Sequence, residues 1–114
     1  MTADRADILQ GTLEMLVLRT LALEPMHGWG MAQRIEAMSG GVFEIQQGTL
    51  YPALQRMKRK GWVRSEWRQT ENNRRARYYE LTREGRAQLD KVREQWARTA
   101  AAVNGVLHWE PGVV

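Results

Sequence analysis

Apolar residues recur at spacings of three and four positions along the first part of the chain. The members of this stripe are Leu9, Leu13, Leu16, Val17 and Leu21. This spacing places the side chains on one side of an amphipathic helix that faces a core. The sequence therefore predicts a first helix that begins near residue 9 and ends before Pro25.

A break and a shorter helix follow. The break spans residues 27–30, and after it the apolar residues at 32, 35 and 38 return to helical spacing. The Ser-Gly-Gly run at 39–41 has a permissive backbone and ends this second helix. Residues 42–45 are interpreted as a short strand or an extended linker, and the pattern leaves that choice open.

A third helix is predicted over residues 47–60, with two different faces. Leu50, Leu54 and Met57 share the apolar face, whereas the remaining positions are mostly polar and basic. Gly61 stands where a helix C-terminal cap residue is expected. The third helix is therefore expected to bury one face and to present a basic exterior.

Two segments rich in aromatic and β-favouring residues come next, at 62–69 and 75–81. They flank the polar stretch 70–74, whose Asn72-Asn73 pair suits a turn with positive φ. The sequence therefore predicts a β-hairpin with a basic tip.

A long final helix is predicted over residues 83–107, with Thr82 at its N-cap. Its apolar positions alternate at three and four, and Gly85 and Thr99 are weak members of the same seam. The main members are Leu89, Val92, Trp96, Val103 and Val106. A helix of about 26 residues is roughly 39 Å long, more than the rest of so small a domain can cover. We therefore expect these residues to form a homodimer interface; the alternative is that they pack only on the chain's own first helix.

Charge is concentrated in the middle of the chain. Residues 1–44 carry three basic and six acidic side chains, residues 45–79 carry nine and two, and residues 80–114 carry five and five. The middle segment therefore holds a net +7, which exceeds the +4 of the whole chain. Such a patch is either a solvated basic face or a surface for a polyanion, and its position in the fold has to decide between them.

Composition excludes several classes of function. A chain of 114 residues has room for one domain, and the absence of cysteine removes disulfides, thiolate nucleophiles and sulfur-ligated metals. Two His and two Ser leave little material for catalysis, and Gly28 and Gly30 do not complete a dinucleotide-binding motif. We therefore expect neither an enzyme nor a bound metal or cofactor. No apolar stretch is long enough to span a membrane, and a cytoplasmic location is expected.

The order of elements, three short helices, a hairpin and a further helix, predicts a mainly α winged helix-turn-helix domain with a long C-terminal helix. The third helix of such a domain can enter a DNA major groove, while the hairpin, or wing, meets phosphates or the minor groove. The DNA-contacting candidates on the third helix are Gln46, Gln47, Gly48, Thr49, Tyr51, Arg56, Lys58 and Arg59. Those on the wing are Asn72, Asn73, Arg74, Arg75 and Arg77. Glutamine can pair with adenine, and the arginines and lysine suit phosphates.

Four sequence blocks resemble the PadR-type bacterial transcriptional regulators. They are LQGTL at 9–13, HGWG at 27–30, QGTLYPAL at 47–54, and YYELT at 78–82 followed by Gly85. Where the family pattern often has Tyr after His-Gly, this chain has Trp29, which we expect to be a packing change.

The resemblance implies a winged helix-turn-helix DNA-binding domain over residues 1–81, a dimerisation helix over 82–107 and a tail over 108–114. It also implies repression by binding an operator, here a pseudo-palindromic double-stranded site read by a homodimer. Members of this kind often respond to small aromatic compounds, and Trp96 lies midway along the dimer seam. Two alternatives stay open: Trp96 serves only as a hydrophobic anchor, and the domain is a protein-interaction adaptor without specific DNA binding.

Overall fold

The computed structural model describes residues 10–112. Leu9 of the predicted first helix, the rest of residues 1–9 and the last two residues of the predicted tail lie outside them. The described elements are α1 (Gln10–Leu23), β1 (Met26–His27), α2 (Gly28–Met38), α3 (Gln47–Arg59), β2 (Val63–Gln69), β3 (Arg75–Leu81) and α4 (Arg83–Leu107). The predicted fold class, mainly α with a small β element and a long last helix, is confirmed.

Two local predictions are wrong around residues 26–30. Met26 and His27 form a short strand that pairs antiparallel with β3, so the sheet has the order β1-β3-β2 instead of being a two-stranded hairpin. Residues 28–30 of the predicted break are the first turn of α2, because the His27 Nδ1 accepts a hydrogen bond of 3.0 Å from the Gly30 N–H and caps the helix. Residues 42–46, in contrast, form an irregular linker.

One core joins the helices to the sheet. Leu13, Val17 and Leu21 of α1 are at most 2% exposed, as the predicted stripe requires. The apolar face of α3 is fully buried, and the side chains that form it are Leu50, Ala53, Leu54 and Met57. Because α1 and α3 share this core, α3 has a fixed orientation relative to the rest of the chain.

The connection between α3 and the sheet is a tight, hydrogen-bonded turn. Gly61 has φ +79°, a conformation that an L side chain rarely adopts. The Gly61 N–H donates to the Lys58 carbonyl, and the Trp62 N–H donates to the Met57 carbonyl, both at 3.0 Å. This pair of bonds is the Schellman motif, and it sends β2 back alongside α3. The β2–β3 hairpin, residues 63–81, is the wing.

Helix α4 begins on the core and then leaves it. The Thr82 Oγ1 accepts a hydrogen bond of 3.0 Å from the Gly85 N–H, which confirms the predicted N-cap. Gly85 and Leu89 are buried, whereas from residue 93 to residue 107 almost every side chain is exposed. The outer half of α4 therefore extends beyond the domain, and the longest dimension of the molecule, α4 included, is 63 Å.

Candidate nucleic-acid interface

Helix α3 and the wing enclose an open cleft of about 960 Å³. From α3 it is lined by Gln47, Tyr51, Gln55 and Lys58, and from the wing mainly by Trp67, Arg74, Arg75, Arg77 and Tyr79. Four of the lining side chains are basic and none is acidic. The cleft is therefore a concave, positively charged surface between α3 and the wing, the two elements that the sequence predicts to contact DNA.

The first turn of α3 is exposed at one end of this cleft. Gln46 is the N-cap residue, its side chain makes no capping bond, and it points to the surface together with Thr49. A Cβ built on Gly48 would meet no atom within 4 Å, so no internal contact requires a glycine there. The first amides of a helix lack intrahelical acceptors, and the first turn of α3 holds no acidic residue. This end suits an incoming anion.

Gln47 and Tyr51 lie on the side of α3 that faces α2. The Gln47 Nε2 is 3.5 Å from the Gly28 carbonyl oxygen, a long hydrogen bond, and Tyr51 is 46% exposed. Tyr79 forms part of the cleft wall and is 2% exposed. Burial raises the pKa of the Tyr79 phenol above its ordinary value, and the neighbouring Tyr51 acts in the same direction. The Tyr79 phenol is therefore neutral at neutral pH and adds no negative charge to the cleft.

The basic residues of α3 do not share one face. Lys58 lines the cleft, and Arg59 is exposed but does not line it. Arg56 is half-buried, and its Nε is buried without a hydrogen-bond partner. The three predicted phosphate contacts are thus spread around the helix, with Lys58 the one that faces the wing.

The wing arginines stand beside an aromatic ring. The guanidinium carbons of Arg75 and Arg77 are each 5.4 Å from the centre of the Trp67 ring, and the Arg77 Nε donates a 3.0 Å hydrogen bond to the Ser65 Oγ. The predicted positive φ is found at Asn73, where it is 59°. Asn72, Asn73 and Arg74 are all exposed at the tip.

The opposite face of the wing is charge-compensated. Arg64 is hydrogen bonded to Glu80 at 2.6 Å, and Arg68 is hydrogen bonded to Glu66 at 2.6 Å and lies 3.9 Å from Glu80. The hydrogen bond from Arg64 lowers the pKa of Glu80 below its usual range, so the carboxylate stays charged. The two faces of one hairpin therefore differ in net charge.

Sequence reasoning missed several residues that line the cleft, among them Trp67, Gln55 and Trp29. Strand alternation could have found Trp67, since it pairs in register with Arg77 and therefore shares its face. Trp29 was expected to be a packing change, but it is 61% exposed and its ring is stacked 6.4 Å from that of His27. Gln55 carries no signal beyond its helical spacing of four from Tyr51.

The predicted dimer seam divides into an inner and an outer part. Leu89 lies in the protomer's own core at 5% exposure, and Val92 packs partly against that core. Trp96, Val103 and Val106 are exposed at 51%, 50% and 77%. Trp96 also lines a groove of about 360 Å³ between α1 and α4, together with Gly11, Thr12, Met15, Val92, Gln95 and Thr99. The outer part of the seam is an apolar surface that nothing within residues 10–112 covers.

The part of the chain that the structure describes offers neither a metal-binding cluster nor a membrane span. Within residues 10–112, no three or more His, Cys, Asp or Glu side chains are grouped so that they could hold a metal ion. No helix in the same range is both long enough and apolar enough to cross a membrane.

Comparison with known proteins gives consistent matches. The family model described as "Transcriptional regulator PadR-like family" matches residues 17–91. A PadR family transcriptional regulator from Eggerthella lenta is 34% identical, with a TM-score of 0.75 over 89% of this chain and 86% of its own. A transcriptional regulator from Clostridium thermocellum is 25% identical, with a TM-score of 0.77 over 87% and 96% of the two chains. An uncharacterized protein from Lysinibacillus sphaericus is 26% identical over 88% of this chain and 92% of its own.

Proposed function

The chain belongs to the PadR-like family of transcriptional regulators, and we propose that it is a homodimeric repressor that binds a pseudo-palindromic DNA operator. The family is one of regulators and not of enzymes, and we propose no catalytic role for this chain. The observation that carries the proposal is the cleft between α3 and the wing, which has four basic and no acidic lining residues beside the exposed N-terminus of α3.

Base recognition is assigned to the first turn of α3. Gln46 and Thr49 are exposed there, and Gln47 lies beside them with only a long hydrogen bond to hold its amide. A glutamine amide can bond an adenine edge, and a threonine can bond a phosphate or contact a thymine methyl group. Gly48 allows the DNA backbone to approach the helix end closely, and the Tyr51 hydroxyl is assigned to a phosphate.

Phosphate binding is assigned to the basic residues of α3 and the wing. Lys58, Arg75 and Arg77 face one cleft, and Arg59 extends the surface beyond it. Arg56 is the weakest member of the set, because its side chain is half-buried and its Nε is buried. Asn72, Asn73 and Arg74 at the wing tip suit an adjacent minor groove.

Dimerisation is assigned to the outer part of α4. Trp96, Val103 and Val106 present an apolar stripe to solvent, and another copy of the chain would bury it. Leu89 and Val92 support this interface from within the protomer. A two-fold dimer whose two α3 helices are about 34 Å apart would meet successive major grooves on one side of B-DNA.

A small aromatic effector is assigned to the groove beside Trp96. The half-exposed indole and the apolar part of α1 could cover a flat ligand. Titration of flat aromatic compounds, followed by tryptophan fluorescence in the wild type and in Trp96→Ala, tests this assignment. The chain has five Trp, so the variant is the necessary control, and an identical response in both proteins would refute the role of Trp96.

Selection of bound sites from random duplexes, followed by a salt titration, tests the proposed function. If each protomer neutralises about four phosphates, log K against log salt should have a slope near −7. Lys58→Gln should make the slope less steep by about two for the dimer, whereas the exposed Lys91→Gln on α4 should leave it unchanged. A slope near zero, or no preference for any duplex, would refute DNA regulation and favour a protein-interaction adaptor.

A further inference from the structure

The two faces of the wing hold their arginines in different ways. On the outer face Arg64 and Arg68 are paired with glutamates. On the cleft face, within residues 10–112, neither Arg75 nor Arg77 is ion-paired with a carboxylate, and both are held beside the Trp67 ring. A cation–π contact orients a guanidinium but leaves its positive charge and its outer N–H donors free for another partner.

Trp67 occupies the position that can hold both arginines at once. It pairs in register with Arg77 across the hairpin, and Arg75 is the next residue of β3 on the same face. Its side chain is 54% exposed, although it lies in the middle of a strand. Burial in the core therefore does not account for a tryptophan here, whereas the two flanking guanidinium groups do.

The cleft has the composition expected of a site for a sugar–phosphate strand. Its basic side chains come from both walls, Lys58 from α3 and Arg75 and Arg77 from the wing, and no acidic residue lines it. A helix in the major groove and a wing at the adjacent minor groove are separated by one DNA backbone. That backbone must pass between α3 and the wing, which is where the cleft lies.

We propose that one sugar–phosphate strand of the operator lies in this cleft, and that Trp67 is a positioning residue that directs Arg75 and Arg77 at its phosphates. The exposed edge of the indole contacts deoxyribose, the least polar part of the strand. This inference rests on the proposed function, because it takes DNA binding through α3 and the wing as given. Beyond that function, it assigns a positioning role to Trp67 and places one sugar–phosphate strand of the DNA in the cleft.

Replacement of Trp67 tests the positioning role. Trp67→Leu keeps an apolar side chain but removes both cation–π contacts, and we expect it to weaken binding to a selected duplex about tenfold. The slope of log K against log salt should become less steep by up to about 3.6, since the two arginines of each protomer lose their phosphates. Trp67→Phe keeps a ring and should keep most of the slope. A purely structural Trp67 would change thermal stability and leave the slope unaltered.

The outer face supplies a matched control. The Tyr78 ring holds Arg68 at 5.4 Å on the outer face, so Tyr78→Leu also removes an aromatic support from the same hairpin. It should leave the slope unchanged. Arg77→Gln keeps the Trp67 ring and should make the slope less steep by about two on its own, which provides a test even if Trp67→Leu does not fold.

The outcomes separate the two proposals. If the wild type binds no duplex, the proposed function fails and this inference fails with it. If the wild type binds a selected duplex with a steep slope, but Trp67→Leu or Arg77→Gln leaves affinity and slope unchanged, this inference alone is refuted. Single methylphosphonate substitutions in the selected duplex locate the strand: we expect the sensitive phosphates to lie between the bases read by α3 and the wing's minor groove. Sensitivity confined to other phosphates overturns the assigned path.

Discussion

Gly85→Ala should be strongly destabilising, although alanine is the better helix former. Gly85 lies in the first turn of α4, where this helix meets the turn between α3 and β2 and the end of β3. A Cβ built on Gly85 would lie 2.1 Å from the Trp62 carbonyl oxygen, and a methyl carbon of Leu81 would be 3.0 Å away. Because the 2.1 Å neighbour is a backbone atom, α4 or the β2 strand has to move by about 1 Å to restore ordinary contact.

The cost can be worked from the bonds at this junction. The Trp62 carbonyl accepts a 3.0 Å hydrogen bond from the Thr82 N–H, and the Thr82 Oγ1 caps α4 while donating to the Gly61 carbonyl at 2.5 Å. Overpacking costs about 1–3 kcal/mol, and loss of the cap and of one backbone bond costs about 1 kcal/mol each. The higher helix propensity of alanine offsets about 1 kcal/mol of this destabilisation. The expected net loss is about 2–4 kcal/mol, or roughly 10 °C in Tm.

Urea and thermal unfolding at one fixed protomer concentration measure this loss, because the stability of a dimer depends on concentration. Arg86→Ala is the matched control: it introduces the same residue at the next position of α4, where the side chain is exposed, and should change stability by at most about 0.5 kcal/mol. A Gly85→Ala protein within about 0.5 kcal/mol of the wild type would show that the junction is not as tight as its geometry indicates.

Three further predictions concern DNA, dimer and pH. Tyr51→Phe should weaken binding about two- to tenfold at all duplex sequences, whereas Gln47→Ala should change the base preference recovered by site selection; the reverse result would exchange their roles. Val106→Asp should shift the protein toward monomer in sedimentation, while Ala101→Asp on the opposite side of α4 should not. If both variants remain dimers, the dimer interface does not include Val106. The lowered pKa of Glu80 means that its stabilising effect is present at neutral pH and is lost as the pH falls through that pKa. Glu80→Gln should therefore differ from the wild type in urea unfolding near pH 7, and the difference should shrink as the pH is lowered below the ordinary pKa of a glutamate; a constant difference would contradict the assigned cause.

Periodicity predicted the helices well because burial dictated it. Two apolar faces pack into one shared core: that of α1, at Leu13, Val17 and Leu21, and that of α3, at Leu50 and Leu54. The spacing of these apolar residues was therefore enough to predict both helices. Local chemistry was equally informative at the ends of elements. The Gly61 cap, the Thr82 cap and the positive φ at Asn73 each depend on a few neighbouring residues that can be recognised in the sequence.

The missed features depend on contacts between distant parts of the chain. A two-residue strand at Met26 and His27 has no periodicity, and only its pairing with Tyr78 and Tyr79 defines it. Gly28 and Gly30 indicated a break, yet a glycine-containing first turn was stable because the His27 side chain caps it. The cleft itself was also beyond the sequence, since it depends on how the wing lies opposite α3 in space.

Because one core holds α3 and the base of α4 together, the spacing of the two DNA half-sites should depend on the outer half of α4. Helix α3 is fixed on α1, and the base of α4 is fixed on the same core through Leu89, so a protomer should move as one body. In the proposed dimer, the separation of the two α3 helices then depends only on how two α4 helices pack together. Substitutions at Val103 or Val106 that preserve dimerisation should change the preferred half-site spacing and leave base preference unaltered, and substitutions at Gln47 should do the opposite. Site selection with both kinds of variant measures the two properties at once, and a change of base preference caused by α4 alone would show that the protomer is not rigid.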